Sequence, residues 1–344
     1  MRTSLCLCIL LISFLAVAAF AEATLDWSVR VTHHERHNAF TDLVYWKGQY
    51  YLGFRHGESH ASGDGEIRIL RSDDLKAWSP CGRIKTLGDD RDAHFAPTED
   101  TLYLYFGTWD LLHTDGPELV ERKSVKSFVT STTDGEKWSK PVGIYKAGWW
   151  VWRVRYHDGK FYGLAYTAVR PKPEVRETLL LVSDNGAAFS LVSSITKDRL
   201  PTESDMLFEA DGSISVVTRM EDTVNEAFLF RSNPERTSWT GSTLGQVIHS
   251  PVVVRWSDRV FVSGRGKSNG GFNTSLWEIK DGKANLLLTL PSGGDTSYPG
   301  LIPDPSAEGG STPRFFVSWY SQHETRSEDR PSESDIYVGQ ITVK

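Results

Sequence analysis

Asp158-Gly159-Lys160-Phe161-Tyr162, near the middle of the chain, is a tight polar turn that leads into an aromatic-rich strand. Asp-Gly between alternating strands is a strong hairpin signal, because both turn residues must adopt positive φ angles. Similar units recur roughly every 50 residues, a spacing typical of repeat architectures. The six turns are Lys47-Gly48, Glu99-Asp100, Asp158-Gly159, Asp211-Gly212, Ser257-Asp258 and a looser one over 309–313. The recurrence predicts six similar β units.

A second polar turn recurs out of phase with the first. Three copies are Ser72–Trp78, Thr132–Trp138 and Ser183–Phe189, and Ser232–Trp239 is a degraded fourth. In such a turn the Asp or Asn side chain accepts backbone N–H bonds. We expect the closing aromatic residue to pack between neighbouring sheets. Helical periodicity does not extend beyond about two turns anywhere in the sequence.

Six repeats with four strands each predict an all-β fold, a six-bladed β-propeller of four-stranded antiparallel blades. A single blade cannot bury its apolar faces alone, so the ring must close to form the core. A pair of β-sandwiches would not give the repeat, and a β-helix would give a shorter one. We therefore expect one propeller domain over residues 22–344.

The first 21 residues resemble a secretory signal. Arg2 precedes an apolar run over 5–20, and Ala19-Phe20-Ala21 supplies the small residues of a cleavage site. No second stretch of membrane-spanning length follows, so we predict an exported protein, periplasmic or extracellular, without membrane insertion after cleavage. Cleavage would leave Cys81 as the remaining cysteine and hence no disulfide.

The net charge and the absence of certain motifs limit the classes of partner and cofactor that we expect. The 344 residues contain 38 Lys and Arg against 44 Asp and Glu, a net charge of −6. A mildly acidic chain lacks the basic stripe of a nucleic-acid binder. The sequence shows no zinc-ligand spacing, phosphate-binding loop or dinucleotide fingerprint, so we expect no metal and no cofactor. We also expect a monomer.

The Ser/Thr-x-Asp-Gly-x-x-Trp turns resemble the Asp-box, or BNR, repeats of the sialidase (neuraminidase) superfamily, and the likeness covers essentially the whole of residues 22–344. Members of that family place their active residues near the axis of a six-bladed propeller. The resemblance implies Tyr298 as nucleophile, Glu203 as its proton acceptor and Asp64 as acid/base. It also implies Arg219 and Arg265 as two of three arginines that grip the substrate carboxylate.

These residue types suit an acidic sugar. A carboxylate nucleophile would be repelled by the substrate's own carboxylate, whereas a neutral phenol would not, and sialidases are a known exception to two-carboxylate glycosidases. A Tyr becomes a useful nucleophile once a neighbouring group takes its proton. Arginine can bind a planar carboxylate through two parallel hydrogen bonds. Asp64 would need a raised pKa to donate a proton near neutrality.

The first blade departs from the family pattern. The family's Arg-Ile-Pro signature is absent, and His37-Asn38-Ala39-Phe40-Thr41-Asp42 stands in its place. His37 lies in the neighbourhood of the missing Arg, and Arg55 lies at the other end of the hairpin. We take both as candidate substrate-binding residues, in a carboxylate clamp that is incomplete or rebuilt. His56 and His60 complete a histidine cluster around this blade.

The stretch Trp149-Trp150-Val151-Trp152-Arg153 combines aromatic rings with a cation. Because sugar C–H faces stack on such rings, Trp152 and Arg153 are candidates for a substrate subsite wall. The alternative is packing between blades.

Three functions compete. The leading hypothesis is an exo-acting, retaining, sialidase-like glycoside hydrolase that cleaves an acidic sugar such as sialic acid from a glycan or polysaccharide. The second is a propeller lyase that cleaves uronate polysaccharides, with His37 or His56 as base. The third is a non-catalytic carbohydrate-binding propeller.

Overall fold

The computed structural model describes residues 22–33, 36–112, 121–168, 175–329 and 331–344. The predicted signal, residues 1–21, lies outside the described residues. The first twelve strands are β1 Ala23–Arg30, β2 His37–Trp46, β3 Gln49–Gly57, β4 Glu66–Ser72, β5 Ser79–Ile84, β6 Asp89–Pro97, β7 Leu102–Leu112, β8 Glu121–Thr132, β9 Val142–Ile144, β10 Trp149–His157, β11 Lys160–Thr167 and β12 Thr178–Ser183. The other twelve are β13 Ser190–Thr196, β14 Pro201–Phe208, β15 Ile214–Met220, β16 Phe228–Ser232, β17 Trp239–Thr243, β18 His249–Trp256, β19 Arg259–Ser268, β20 Gly271–Lys280, β21 Lys283–Thr289, β22 Thr296–Pro303, β23 Arg314–Ser321 and β24 Asp335–Val343.

These strands form six four-stranded antiparallel sheets, which confirms the predicted six-bladed propeller. Five blades are consecutive in sequence, with orders β2-β3-β4-β5, β6-β7-β8-β9, β10-β11-β12-β13, β14-β15-β16-β17 and β18-β19-β20-β21. All six predicted hairpin turns join the first strand of a blade to the second. Within the described residues, no helix is long and apolar enough to cross a membrane.

The sixth blade is assembled from both ends of the described chain. Its order is β1-β24-β23-β22, so the N-terminal strand pairs with the C-terminal one, and Ala23 lies opposite Val343. This pairing of the two ends closes the ring of blades. The local sequence repeat did not predict it.

The second set of turns shares one hydrogen-bonding pattern. Asp134 Oδ1 accepts the N–H groups of Glu136 and Lys137 at 2.9 and 2.8 Å, while Thr132 Oγ1 accepts the N–H of Gly135 at 2.9 Å. Ser72–Trp78 and Ser183–Phe189 repeat these bonds. Gly135 has a φ of 76°, a conformation that glycine adopts without strain.

The core is divided among the interfaces between blades. Six clusters of buried apolar side chains lie one at each contact between successive blades. The cluster between the last and first blades joins Leu43 and Leu52 to Val338 and Tyr320. Because large apolar side chains contribute about 1.5–3 kcal/mol each when fully buried, ring closure is a condition of stability.

Every inner strand carries a register irregularity near its start. Examples are the breaks between Ala39 and Asp42, between Arg91 and His94, and between Ser297 and Gly300. Such bulges re-aim side chains. Phe40, Asp92, Ser250 and Tyr298 lie in these bulges with positive φ angles. The repeated bulge therefore sets which side chains each blade presents near the axis.

Candidate active site

Tyr298 and Glu203 meet near the axis of the ring. The Tyr298 hydroxyl donates to Glu203 Oε1 at 2.7 Å, although the two residues belong to blades six and four. The backbone N–H of Ser250 donates to Glu203 Oε2 at 2.7 Å. Both side chains are buried. The predicted phenol and its predicted proton acceptor thus form a fixed pair with both carboxylate oxygens engaged.

Two arginines flank this pair. Arg219, on β15, donates from Nη1 to Glu203 Oε1 at 2.8 Å and pairs through Nη2 with Glu221 at 2.9 Å. Arg265, on β19, lies with its guanidinium carbon 5.8 Å from the centre of the Tyr298 ring and 4.8 Å from that of Phe272. Within the described part of the chain, Arg265 makes no ion pair. Its charge is therefore available to an anionic ligand.

A cavity of about 200 Å³ brings these groups together. This volume is smaller than the roughly 300–1,000 Å³ of pockets that bind drug-sized ligands. The cavity is therefore of a size suited to one sugar residue. Its charged lining consists of Arg91, Arg176, Arg219, Arg265, Asp92, Glu203 and Glu221. Its remaining lining consists of His60, Trp109, Trp150, Tyr166, Thr167, Ala168, Thr202 and Tyr298. Four guanidinium groups against three carboxylates favour anions, in a protein of net negative charge.

The protonation states of the pair follow from burial and charge. Burial and the nearby Glu203 charge raise the pKa of Tyr298 well above its usual value, so its hydroxyl is neutral. Burial acts to raise the pKa of Glu203, but Arg219 and the Tyr298 hydroxyl outweigh burial and hold that pKa at about 2. Glu203 is thus an anion that accepts the Tyr298 proton in a hydrogen bond.

Asp92 and Arg91 are cavity residues that the sequence analysis missed. Burial, with the Glu203 and Asp89 charges, raises the pKa of Asp92 to about 7. Asp92 Oδ1 is buried and has no hydrogen-bond partner among the described residues. The Arg91 guanidinium lies between the rings of Trp109 and Phe40, at 3.7 and 4.3 Å from their centres. The available signal was the position of Asp92, which matches that of Tyr298 in its own blade.

Asp64 does not join this constellation. It forms an ion pair with Arg36, and its Oδ1 accepts the N–H of Glu58 at 3.1 Å. Although partial burial opposes them, these bonds and that of Ser62 lower the pKa of Asp64. Asp64 lies outside the cavity lining and has the opposite shift to the one a proton donor needs. From the same loop it is His60 that reaches the cavity.

His60 belongs to a cluster centred on Asp295. Asp295 Oδ2 contacts His60 Nδ1 at 2.6 Å and His37 Nε2 at 2.8 Å. Asp295 Oδ1 accepts from the Tyr320 hydroxyl at 2.7 Å. Burial acts to raise the pKa of Asp295, but the bonds from both histidines outweigh burial and lower it, so Asp295 stays ionised.

The ligand atoms of His37, His60 and Asp295 lie within 4.8 Å of one another, a spacing at which three such groups can hold a metal. A second contact argues for hydrogen bonds instead. Arg55 Nη1, which can only donate, lies 3.5 Å from His37 Nδ1. His37 Nδ1 then accepts, and Nε2 carries the hydrogen, whereas a metal would need its lone pair. Burial lowers the pKa of His37 to about 4, so this ring is neutral.

Four predicted substrate-binding residues lie behind the cavity wall. Arg55 is fully buried and pairs with Asp89 at 2.6 Å. Arg153 is buried and pairs with Asp42 at 3.1 Å. His37 is engaged by Asp295, and Trp152 packs edge-on to Tyr298 at 5.5 Å between ring centres. Each supports the site through packing or ion pairing and does not line it. Trp150, from the same stretch as Trp152, does line the cavity.

Neither histidine of the lyase hypothesis lines the cavity that contains Tyr298. His37 is only 1% exposed. His56 accepts or donates at 2.8 Å to Asn38 and lines a different cavity, of about 510 Å³, with Arg68 and Cys81. Cys81 carries no disulfide.

No protein-family model and no curated protein matches the chain. Solved structures do. A Dyadobacter fermentans protein of unknown function superposes with a TM-score of 0.76 at 19% identity, covering 94% of this chain and 99% of that one. Trypanosoma rangeli sialidase gives 0.63 at 14%, over 88% of this chain and 55% of that one. Phage phi92 endosialidase gives 0.64 at 10%, over 94% and 69%. At these identities the likeness establishes a sialidase-like propeller fold.

Proposed function

We propose that this protein is a sialidase-like glycoside hydrolase that removes a terminal acidic sugar from a glycan, with retention of configuration. The observation that carries the proposal is the 2.7 Å hydrogen bond from Tyr298 to Glu203 inside an arginine-rich cavity. Support also comes from the sialidases among the structures of similar fold. We further propose that the protein is exported and acts on glycans outside the cytoplasm.

Binding begins with the anion. Arg265 has no ion-pair partner among the described residues, and Arg219 shares its charge with Glu203 and Glu221. A substrate carboxylate held by both guanidinium groups would form charge-assisted hydrogen bonds. It would also draw Arg219 away from Glu203. Since Arg219 is the main group that holds the Glu203 pKa low, beside Tyr298 and Arg265, its withdrawal would raise that pKa and make Glu203 a better base.

The chemical step uses the fixed pair. Tyr298 Oη attacks the anomeric carbon while its proton passes to Glu203 Oε1, to which it is already hydrogen-bonded. The bond to the leaving group breaks as that oxygen is protonated. Water then attacks the same carbon, giving its proton to the group that protonated the leaving oxygen, and Tyr298 leaves with the proton from Glu203. Two displacements at one carbon retain its configuration.

The test is release of methylumbelliferone from methylumbelliferyl sialoside. We expect turnover by the wild-type protein and loss of turnover in Tyr298→Phe and Glu203→Gln. Tyr103→Phe is the matched control, because Tyr103 lies outside the cavity lining, and it should keep full activity. If wild type is inactive on this sialoside but cleaves a methylumbelliferyl uronide through Tyr298, the mechanism stands and the sugar changes.

Other outcomes would replace the proposal. An unsaturated product that absorbs in the ultraviolet would identify a lyase. Sialic acid binding by calorimetry that survives Tyr298→Phe, with no turnover of any acidic glycoside, would identify a carbohydrate-binding propeller.

A further inference from the structure

We propose that His60, oriented by Asp295, is the proton donor and acceptor of this site. The inference rests on the proposed hydrolase function and assigns the one role that Tyr298 and Glu203 leave open. It replaces Asp64, which stands four residues later on the same loop between β3 and β4.

His60 is placed for the role by exposure and by its contacts. Its side chain lines the same cavity as Tyr298 and is 51% exposed, as suits a group that must serve both a leaving group and water. One ring edge is fixed, since Nδ1 lies 2.6 Å from Asp295 Oδ2. The ring also packs edge-on against Phe40, with ring centres 5.3 Å apart. Nε2 has no hydrogen bond to any described residue and is left for the ligand.

Asp295 acts as the positioning residue. It is ionised, so His60 Nδ1 must carry the hydrogen that joins them, and the proton to be exchanged sits on Nε2. Asp295 is itself held by three further bonds, from His37 Nε2 at 2.8 Å, from Tyr320 Oη at 2.7 Å and from its own N–H to Gln322 Oε1 at 2.8 Å. It precedes Tyr298 by three residues. One short segment of chain therefore both carries the nucleophile Tyr298 and positions His60.

The proton balance closes with water as the second reactant. In the first step the His60 imidazolium gives its Nε2 proton to the glycosidic oxygen as the bond to the anomeric carbon breaks. Tyr298 Oη forms its bond to that carbon, and the Tyr298 proton goes to Glu203. In the second step neutral His60 takes a proton from the attacking water, and Glu203 returns its proton to Tyr298. All three residues end as they began.

Asp64 and Asp92 fit the role less well. Asp64 is occupied by Arg36 and lies outside the cavity. Asp92 lines the cavity but is only 5% exposed and lies beside Arg91, whereas the His60 side chain is 51% exposed.

Two substrates with different leaving groups test the assignment. Methylumbelliferone leaves without help, whereas lactose must be protonated. His60→Gln should lose about 100-fold or more in kcat/KM on sialyllactose, the usual contribution of general acid catalysis, and less than about 10-fold on methylumbelliferyl sialoside. Azide, which needs no base, should raise kcat of His60→Gln on the aryl sialoside and give a glycosyl azide. Asp295→Asn should show a weaker form of the same selectivity.

The ratio of activities on the two substrates, together with a control variant, separates loss of proton transfer from misfolding. Misfolding would lower both activities equally, so the ratio of the two substrates isolates proton transfer. His157→Gln, a histidine at the far end of β10, should keep the wild-type ratio. A wild-type ratio in His60→Gln, or the selective loss in Asp64→Asn instead, overturns this assignment and leaves the Tyr298 mechanism intact. A wild type that is inactive on both sialosides and on the methylumbelliferyl uronide overturns the proposed function itself.

Discussion

The ion pair at Glu203 ties the stability of the propeller to pH. In the folded protein its pKa is about 2, against 4.5 for an unperturbed glutamate, because Arg219 and the Tyr298 hydroxyl outweigh the effect of burial. Between these values Glu203 is ionised when folded and protonated when unfolded. The stability from this difference is fully present above about pH 4.5 and is lost as the pH falls toward about 2.

The size of the effect follows from the two pKa values. The difference between them corresponds to ~3 kcal/mol of folding stability, of which ~2 kcal/mol is lost between about pH 5 and about pH 3. Glu203→Gln keeps the shape and removes the titration. The difference in free energy of unfolding between wild type and Glu203→Gln should therefore shrink by ~2 kcal/mol over this interval. Urea unfolding followed by tryptophan fluorescence at a series of pH values measures it.

Other carboxylates also make the stability depend on pH in this range, but they are present in both proteins and cancel in the difference. Tyr298→Phe is a useful second variant. It removes one of the bonds that lower the Glu203 pKa and should flatten the pH dependence only in part. A difference between wild type and Glu203→Gln that stays constant from about pH 5 to about pH 3 would refute the electrostatic account of the pair.

Three further predictions concern the groups around the site. Arg55→Met should lower the free energy of unfolding by ~3–5 kcal/mol, because the buried Asp89 carboxylate loses its 2.6 Å ion pair and keeps the longer 3.5 Å contact with Arg91; Arg55→Met with Asp89→Leu should regain most of that loss in urea melts. Gly107→Ala should cost ~1–3 kcal/mol and weaken sialoside turnover, since the added carbon would lie 2.1 Å from the Trp150 ring of the cavity wall; an unchanged melting temperature would contradict this. Asp92→Asn should stabilise the protein at about pH 8 by ~2 kcal/mol or more and have little effect at about pH 4. Burial raises the folded Asp92 pKa to about 7 from 3.8 for an unperturbed aspartate, so the wild type loses stability as its unfolded state ionises between these two pH values.

The fold could be predicted because its signals are local. Each blade contains a hairpin turn, such as Asp158-Gly159, that can be recognised from a few consecutive residues. The closure of the ring could not be predicted in this way. The pairing of Ala23–Arg30 with Asp335–Val343 joins the two ends of the described chain, and neither strand carries a pattern that specifies the other. Long-range pairings are decided by the geometry of the whole ring.

The contrast between Arg55 and Arg265 shows why the site was harder to predict than the fold. Both lie on the second strand of a blade, opposite the early part of the first strand, at Ala39 and His249. Sequence position alone makes them equivalent. The next blade supplies the Asp89 carboxylate to Arg55, whereas Arg265 meets an aromatic ring and a neutral histidine. The neighbour across the blade interface decides whether an arginine is structural or available to a ligand.

The cation missing from the first blade is partly supplied by the second. Phe40 occupies the bulge of β2, where a ring cannot grip a carboxylate, but its face supports the Arg91 guanidinium from β6 at 4.3 Å. Stacked between Phe40 and Trp109, Arg91 lines the cavity, and its buried Nε has no hydrogen-bond partner in the part of the chain that the structure describes. Its charge is shared with Asp89 and Asp92, so it is a weaker anion ligand than Arg265. Under the proposed function, we therefore expect anion recognition to depend mainly on Arg219 and Arg265, with a smaller contribution from Arg91.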